Sequence, residues 1–251
     1  MSRWIFLHAG LTLSALAATA CGGRDAAPGR PLANTQVLRP DAIHDFTVLY
    51  AKNCSGCHGL DGKGGAAIGI GDPVYLAVAG NAAIIHVISD GRKGTSMPPF
   101  AQHSGGMLTD DQIQAIVRGI RARWAKPGAL RGAIAPPYAV PTPGDPKRGA
   151  DAYGAYCSSC HGTDGRGGSK ASCIVEPSYL ALVSDQYLRT TVIAGRPELG
   201  TPDWRGNIPG KPMSPEDVSD VVAWLASQRR PRKKMLIPVC EKKEESDDPT
   251  Q

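Results

Sequence analysis

The 251-residue sequence predicts an all-α protein made of two similar domains in tandem. Apolar residues recur at helical spacing near both ends of each half, and no segment alternates with period two over a useful length. A hexapeptide is also repeated, since CSGCHG at 54–59 returns as CSSCHG at 157–162. Matching stretches flank both copies in the same order, as DPVYLAV parallels EPSYLAL, so we infer a tandem duplication.

Helical patterns begin and end each half. In the first half, Ile43, Phe46 and Tyr50 form one stripe that leads into the first cysteine. The sequence TDDQ at 109–112 is a capping-box pattern, and in the second half Ser214 followed by proline suits a helix start. The apolar faces predicted behind these caps are Ile113, Ile116, Val117, Ile120 and Trp124 in the first half and Val218, Val221, Val222 and Leu225 in the second.

Changes in composition divide the chain into six segments. The first combines a positive Arg3 with an apolar run that ends in small residues, which is typical of an export signal rather than a membrane span. Stretches rich in proline and glycine or in charge mark the other limits. The predicted segments are an export signal at 1–20, a tether at 21–39, a first domain at 40–126, a Pro-rich linker at 127–146, a second domain at 147–232 and a charged tail at 233–251.

Cys21 directly follows the export signal. The residues before it, LAATA, resemble the end of a bacterial lipoprotein signal, although Ala18 stands where leucine is preferred. The resemblance implies that Cys21 is acylated, and acyl chains would hold the exported protein at the periplasmic surface of a membrane without spanning it. Plain secretion is the alternative.

Composition predicts small cores and argues against a nucleic-acid partner. Hydrophobic residues make up 41% of the chain, while Gly (30) and Pro (21) are abundant. A large apolar cofactor in each domain would therefore add core volume and stabilise the folded state. The net charge of +5 is moderate, and no long basic stretch is interleaved with aromatic residues, so we expect no nucleic-acid binding.

Each repeated hexapeptide contains the spacing Cys-x-x-Cys-His, which is typical of covalent haem c attachment. Two thiols separated by two residues can each add to one vinyl group of the haem, and the next histidine can bind iron as the proximal ligand. A thioredoxin-like thiol pair and a Cys₄ zinc site are the alternatives, but no βαβ pattern surrounds either copy and zinc-binding pairs usually lie closer together. The candidate residues are Cys54, Cys57 and His58 in the first motif and Cys157, Cys160 and His161 in the second.

With these motifs, residues 40–230 resemble the class I c-type cytochromes in a tandem two-haem form. The resemblance implies two haem c groups with iron, each wrapped by a few helices that leave one haem edge exposed. It also implies that Met97, in GTSMPPF, is the sixth iron ligand in the first domain. Such a ligand would raise the reduction potential and close the iron to substrates. A core-filling role is the alternative for Met97.

The second domain departs from that pattern, because its matching stretch reads GTPDWRGNIPGKPMS. Alignment on the GT pair places Asp203 opposite Met97, whereas alignment on the final helices places Pro202 there. Met213 is the favoured iron ligand if an insertion carries it across, and a hydrophobic staple before the last helix is its alternative role. The other candidates are Met235, Lys211 and a water.

Two cysteines and two basic clusters lie outside the motifs. In an oxidising location outside the cytoplasm leftover cysteines often pair, so we predict a disulfide between Cys173 and Cys240, with two free thiols as the alternative. Basic residues cluster at 118–126 and 229–234. Solvated faces are the simplest interpretation of both clusters, and docking surfaces near a haem edge are the alternative.

Together these features predict an electron carrier between membrane-associated redox partners, for example from a quinol-oxidising complex to a terminal oxidase. No acid–base pair or substrate pocket is apparent near either motif, which favours a carrier over an enzyme. The alternative is a small two-haem oxidoreductase acting on thiosulfate or peroxide through an open or atypically ligated iron in the second domain. A zinc or thiol interaction module is the third hypothesis.

Overall fold

The computed structural model of the protein describes residues 38–230. Within that range the regular structure is helical, with ten α-helices, three short 3-10 helices and no strand. Two isolated β-bridges join Ala101 to Leu108 and Arg196 to Thr201. The prediction of an all-α fold is confirmed.

Five helices follow the same order in each half. The 3-10 helices are Pro40–Ala42, Gln102–Ser104 and Pro197–Leu199. The α-helices of the first half are α1 (Phe46–Asn53), α2 (Ser55–His58), α3 (Pro73–Val78), α4 (Asn81–Asp90) and α5 (Asp110–Trp124). Those of the second half are α6 (Pro146–Tyr156), α7 (Ser158–His161), α8 (Pro177–Leu182), α9 (Asp185–Ala194) and α10 (Pro215–Ser227).

The last helix of each half begins at the predicted cap. The Thr109 hydroxyl accepts a hydrogen bond from the Gln112 backbone at 3.2 Å, and the Gln112 side chain accepts one from the Thr109 backbone at 3.0 Å. Ser214 and Asp217 make the same reciprocal pair at 3.0 and 2.9 Å. The apolar faces behind these caps are buried as predicted, except that Trp124 is half-buried.

The first and last helices of each half cross at a glycine, but the glycine lies on opposite helices. In the first half, a Cβ on Gly119 of α5 would lie 2.2 Å from the ring of Phe46 on α1. In the second half, a Cβ on Gly149 of α6 would lie 2.0 Å from the carbonyl oxygen of Asp220 and 2.8 Å from Trp224 Cβ on α10. Each crossing therefore pairs one glycine with one aromatic residue, and the two helices exchange these roles between the halves.

The two halves belong to one compact unit that begins at Asp41, and they share apolar contacts. Val74 and Val78 of α3 pack against the core of the second half, while Ala194 of α9 is part of the core of the first. Helices α3 and α9 are therefore the main contact between the halves.

The predicted linker at 127–146 packs against both cores. Leu130 contacts the core of the second half, and Tyr138 contacts that of the first. Two side chains of α9 bind its carbonyl groups, since Arg189 Nε donates to Pro137 at 2.9 Å and Gln186 Nε2 donates to Tyr138 at 2.8 Å. Arg189 thus satisfies the acceptor of a proline, which has no backbone donor, and Gln186 satisfies that of the tyrosine after it.

Several predicted features lie outside the described residues. These are the export signal at 1–20, almost all of the tether at 21–39, the acylation site Cys21, Met235, Cys240 and the tail at 233–251. Among the helices of residues 38–230, none combines the length and the apolar character that crossing a membrane requires.

Candidate functional site

Each Cys-x-x-Cys-His motif folds as a single helical turn directly after a longer helix. Cys54 ends α1 and caps α2, and Cys157 ends α6 and caps α7, with nearly the same backbone angles (φ −121°, ψ −39° and φ −122°, ψ −30°). Residues three apart in a helix lie on one face, so this turn places the two cysteines of each motif together.

All four motif cysteines are free thiols, as covalent attachment to a haem requires. Burial, followed by the charge of the second cysteine, raises the pKa of Cys54 to about 12 and that of Cys157 to about 11. Cys57 and Cys160 are exposed. Within residues 38–230, no three His, Cys, Asp or Glu side chains are grouped so that they could hold a metal ion.

The motif histidines are oriented by backbone carbonyl groups. Nδ1 of His58 lies 2.8 Å from the Ile68 oxygen, and Nδ1 of His161 lies 2.9 Å from the Ser172 oxygen. A proton on Nδ1 leaves Nε2 as the nitrogen that can bind iron. Burial lowers the pKa of His58; the Ile68 bond opposes that shift and the charge of Arg196 adds to it. The neutral imidazole required of a metal ligand is therefore favoured at His58.

A tyrosine holds the end of each motif. The Tyr50 hydroxyl donates to the Gly59 oxygen at 2.7 Å, and the Tyr153 hydroxyl donates to the Gly162 oxygen at 2.6 Å. This role was not predicted. The signal was present, because both copies carry a tyrosine four residues before the first cysteine.

Two free thiols one turn apart and an imidazole fixed through Nδ1 form the donor set that haem c requires. This set occurs twice with the same backbone geometry, so the residues of both halves fit the group.

The loop that carries Met97 has a counterpart in the second half, but the position that corresponds to Met97 is not a methionine. The Arg92 backbone donates to the Met97 oxygen at 2.9 Å, and the Arg196 backbone donates to the Thr201 oxygen at 3.0 Å. Thr201 therefore stands at the place of Met97, rather than Asp203 or Pro202 as the two sequence alignments indicated. Neither alignment paired these two residues, because residues 196–214 differ in length and composition from the matching loop of the first half.

Met213 occupies the core position that Leu108 has in the first half. Its backbone donates to the Trp204 oxygen at 2.9 Å, as Leu108 donates to the Phe100 oxygen at 2.7 Å. Its side chain is 3% exposed, and its sulfur lies 3.8 Å from Asn207 Nδ2. This is the residue before the capping box, where the alternative role was predicted. Iron ligation by Met97 or Met213 stays a prediction.

Cys173 is disulfide-bonded. Its predicted partner, Cys240, lies outside the described residues, so the pairing stays a prediction. Cys173 directly follows Ser172, whose carbonyl group orients His161.

Two arginines of the predicted basic clusters bind backbone carbonyl groups inside their own halves. Arg121 of α5 donates to the carbonyls of Leu76 and Ala79 at the end of α3. Arg229 donates to those of Leu180 and Val183 at the end of α8, each at 3.0 Å. Capping of a helix end by a distant arginine is a role that the charge pattern alone did not indicate.

Comparisons with known proteins agree with the two motifs. The family model of cytochrome c oxidase, cbb3-type, subunit III matches residues 23–118 and 144–225. One matched range falls in each half, which confirms the prediction of two tandem cytochrome c-like domains.

Two curated relatives and one solved structure are similar to the chain. The cbb3-type cytochrome c oxidase subunit FixP of Sinorhizobium medicae is 26% identical over 54% of this chain and 44% of its own length. The cytochrome bc1 complex cytochrome c subunit of Mycobacterium bovis is 26% identical over 70% of this chain and 60% of its own. The chain thus spans about half the length of these relatives. The reducing HAO-like protein complex of Kuenenia stuttgartiensis matches 73% of this chain and 95% of its own at 18% identity, with a TM-score of 0.43.

Proposed function

Because the chain belongs to the family of cytochrome c oxidase, cbb3-type, subunit III, we propose that it is a two-haem electron carrier. The observation that carries the proposal is the repeated turn with two free thiols and an imidazole whose Nδ1 lies 2.8 or 2.9 Å from a carbonyl oxygen. In our assignment, Cys54, Cys57 and His58 hold haem 1 in a domain at 40–126. Cys157, Cys160 and His161 hold haem 2 in a domain at 147–232.

The residues of the chain act by holding and tuning these groups. Bound haem c supplies a one-electron iron couple. The cysteines attach it covalently, and the carbonyl groups of Ile68 and Ser172 fix the rings of the two proximal histidines. Met97 supplies a thioether to haem 1, which favours the reduced state and keeps substrates from the iron.

The proposed setting is the periplasmic side of a membrane, with an acyl anchor on Cys21. A quinol-oxidising complex as donor and a terminal oxidase as acceptor fit the kinds of relatives found, since one relative is named as a subunit of a bc1 complex and another as a subunit of a cbb3-type oxidase. No nucleic-acid partner is proposed.

Mass and absorbance of the purified exported protein test the haem assignment. Denatured wild-type protein should exceed the mass of its processed polypeptide by two haems. Replacing both cysteines of either motif by alanine should remove half of the covalently bound haem absorbance. A colourless protein, or one whose haem is entirely removed by acidified organic solvent, would contradict the proposal.

A second candidate, a small two-haem oxidoreductase acting on thiosulfate or peroxide, is favoured by Thr201 standing where Met97 stands in the first half. A threonine provides no thioether at that point of the second loop. Carbon monoxide binding separates the candidates: a pure carrier should bind none in the reduced state, whereas an open haem 2 should bind one equivalent. The Met97→Leu variant is the positive control, because it should open haem 1.

A further inference from the structure

An ion pair of the second half lies against residues 65–69 of the first half, the segment whose Ile68 carbonyl group orients His58. Arg196 follows α9, and its Nε lies 2.5 Å from Glu198 Oε1. Their side chains are only 11% and 19% exposed. Burial favours the neutral form of Glu198, but the hydrogen bond and charge of Arg196 outweigh it and lower the pKa of the carboxyl group. The pair is therefore ionised at neutral pH, and water screens its charges poorly.

Arg196 binds the segment 65–69, and Glu198 lies beside it. Arg196 Nη2 donates to the Gly65 carbonyl oxygen at 3.0 Å. Glu198 Oε1 lies 3.8 Å from the position that a Cβ on Gly69 would take. Ile68 lies between Gly65 and Gly69 in the sequence, and its carbonyl oxygen lies 2.8 Å from His58 Nδ1.

The same segment is packed tightly on the haem-attachment turn. A Cβ on Gly65 would lie 2.1 Å from the Cys57 oxygen and 2.7 Å from the Gly59 nitrogen. The Ala67 backbone also donates to the Cys57 oxygen at 2.9 Å. A displacement of the segment would therefore move the groups that attach and orient the haem ligands.

We propose that Arg196 and Glu198 are positioning residues for haem 1, supplied by the second domain. They fix the segment 65–69, and so the ring of His58, and the nearby positive charge of Arg196 raises the reduction potential of haem 1. A cation beside the segment that orients a haem ligand would favour the ferrous state, because that state carries one positive charge fewer. This inference rests on the proposed two-haem function.

The corresponding carbonyl group in the second half is held differently. Ser172 accepts from His161 Nδ1, and the next residue is the disulfide-bonded Cys173. In the second half a disulfide bond therefore lies beside the carbonyl group that orients the histidine. In the first half, the segment 65–69 is instead bound by an ion pair from the other domain. The two haems consequently differ in how their proximal ligands are supported.

The test uses the haem-loaded protein and the variants Arg196→Gln, Glu198→Gln and Arg196→Lys. Removing the cation should lower one of the two reduction potentials, and removing the carboxylate should raise the same one. Each shift should change the ratio of oxidised to reduced haem at least threefold, which is about 28 mV for a one-electron couple. Arg196→Lys should keep the potential, because the charge remains.

Hydrogen exchange locates the effect in the chain. Amides of residues 65–69 should exchange roughly tenfold faster in Arg196→Gln than in the wild type, with residues 168–172 unchanged. Arg196→Lys should give an intermediate rate, since an ammonium group cannot bridge the carbonyl and the carboxylate as a guanidinium does. Arg205→Gln is the matched control, because Arg205 also pairs with a carboxylate two residues away and binds the Leu130 carbonyl at 2.7 Å, but not the segment 65–69.

Unchanged potentials, unchanged exchange at 65–69, or shifts of the same sign in Arg196→Gln and Glu198→Gln would each overturn the inference. Absorbance of two haems in every variant separates its failure from a failure of the proposed function, which would already appear as missing haem in the wild type.

Discussion

Gly59 ends the one-turn helix α2 with a φ of 79°, a backbone conformation that residues with a side chain rarely adopt. Space is restricted there as well, because a Cβ on Gly59 would lie 1.8 Å from the Lys63 oxygen. Gly64 lies nearby with a φ of 73°, but nothing lies within 4 Å of the position of its Cβ. Substitution of Gly64 should therefore report backbone strain alone, whereas substitution of Gly59 should report strain and steric overlap together.

Gly59→Ala should destabilise the haem-loaded protein by about 3 kcal/mol or more, because strain and overlap with backbone add. Gly64→Ala, the control, should cost only about 1 kcal/mol from strain. Denaturant unfolding followed by haem absorbance measures both. Equal losses in the two variants would mean that the contact with Lys63 does not restrict Gly59.

At this scale the sequence indicated which motif residues would hold a haem, but not which groups support them. Cys54, Cys57 and His58 follow from spacing alone, since attachment and ligation need those residue types in that order. The Ile68 carbonyl and the Arg196 side chain could not be predicted, because a backbone oxygen has no sequence signature and Arg196 lies 131 residues from Gly65.

Among the helices, the crossing of α6 and α10 depends on a glycine near the start of α6. Gly149 contacts the backbone of α10, as a Cβ there would lie 2.0 Å from the Asp220 oxygen. Gly154 lies on the same helix, and a Cβ there would meet nothing within 4 Å. Glycine in a helix is otherwise unfavourable compared with alanine, so only a packing requirement accounts for Gly149.

Alanine substitution should therefore have opposite effects at the two positions. We expect Gly149→Ala to lower the free energy of unfolding by about 1–3 kcal/mol, since the helices must move apart. Gly154→Ala should raise it by about 0.5–1 kcal/mol through helix propensity. Chemical denaturation of both variants at neutral pH checks the signs, and stabilisation by both would show that the crossing tolerates a methyl group.

An acid-sensitive contact joins the same two helices. Asp220 of α10 is 5% exposed, accepts from the Asp145 backbone at 2.7 Å and binds Arg148 at 2.7 and 2.9 Å. The hydrogen bond from Arg148 lowers the pKa of Asp220 despite its burial. A lowered pKa means that the carboxylate stabilises the fold above the unfolded value of about 3.9, and that this contribution is lost as the pH falls below it.

Asp220→Asn should cost about 1–3 kcal/mol at pH 7, because a buried charged acceptor is lost. Below about pH 4 the cost should shrink, since the carboxyl group of the unfolded wild type is protonated first and that of the folded protein follows at lower pH. The measurement is the free energy of unfolding against pH for both proteins. Asp151→Asn, at an exposed position of α6, is the control and should follow the wild-type curve. A constant difference across the pH range would show that Asp220 does not titrate in this window.

The helices themselves were well predicted because their signals are local. Thr109 with Gln112 and Ser214 with its proline mark helix starts within four residues of sequence. The loop after α9 was not predicted, because gaps in a repeat cannot be placed from composition alone. Only the backbone hydrogen bond of Arg196 identifies Thr201 as the counterpart of Met97.

For the whole molecule, the sequence indicated two domains joined by a spacer, and the structure shows two cores that contact each other and the spacer. The proline-rich composition of 127–146 predicts limited flexibility but not where the segment packs. That packing depends on Arg189 and Gln186, which lie about 50 residues later in the chain. We expect long-range contacts of this kind, which include the bond from Arg196 to Gly65, to couple the stability of the two halves.

Shared packing predicts that the two halves unfold together. Val78 of α3 packs against the second core, while its neighbour Ala77 is exposed. In calorimetry of the haem-loaded protein we expect one transition for the wild type. Val78→Asp should divide it into two, because a charge at that contact weakens docking by about 1–3 kcal/mol while leaving each core otherwise intact. Ala77→Asp adds the same charge to the same helix end and should keep one transition, so two transitions already in the wild type would contradict the coupling.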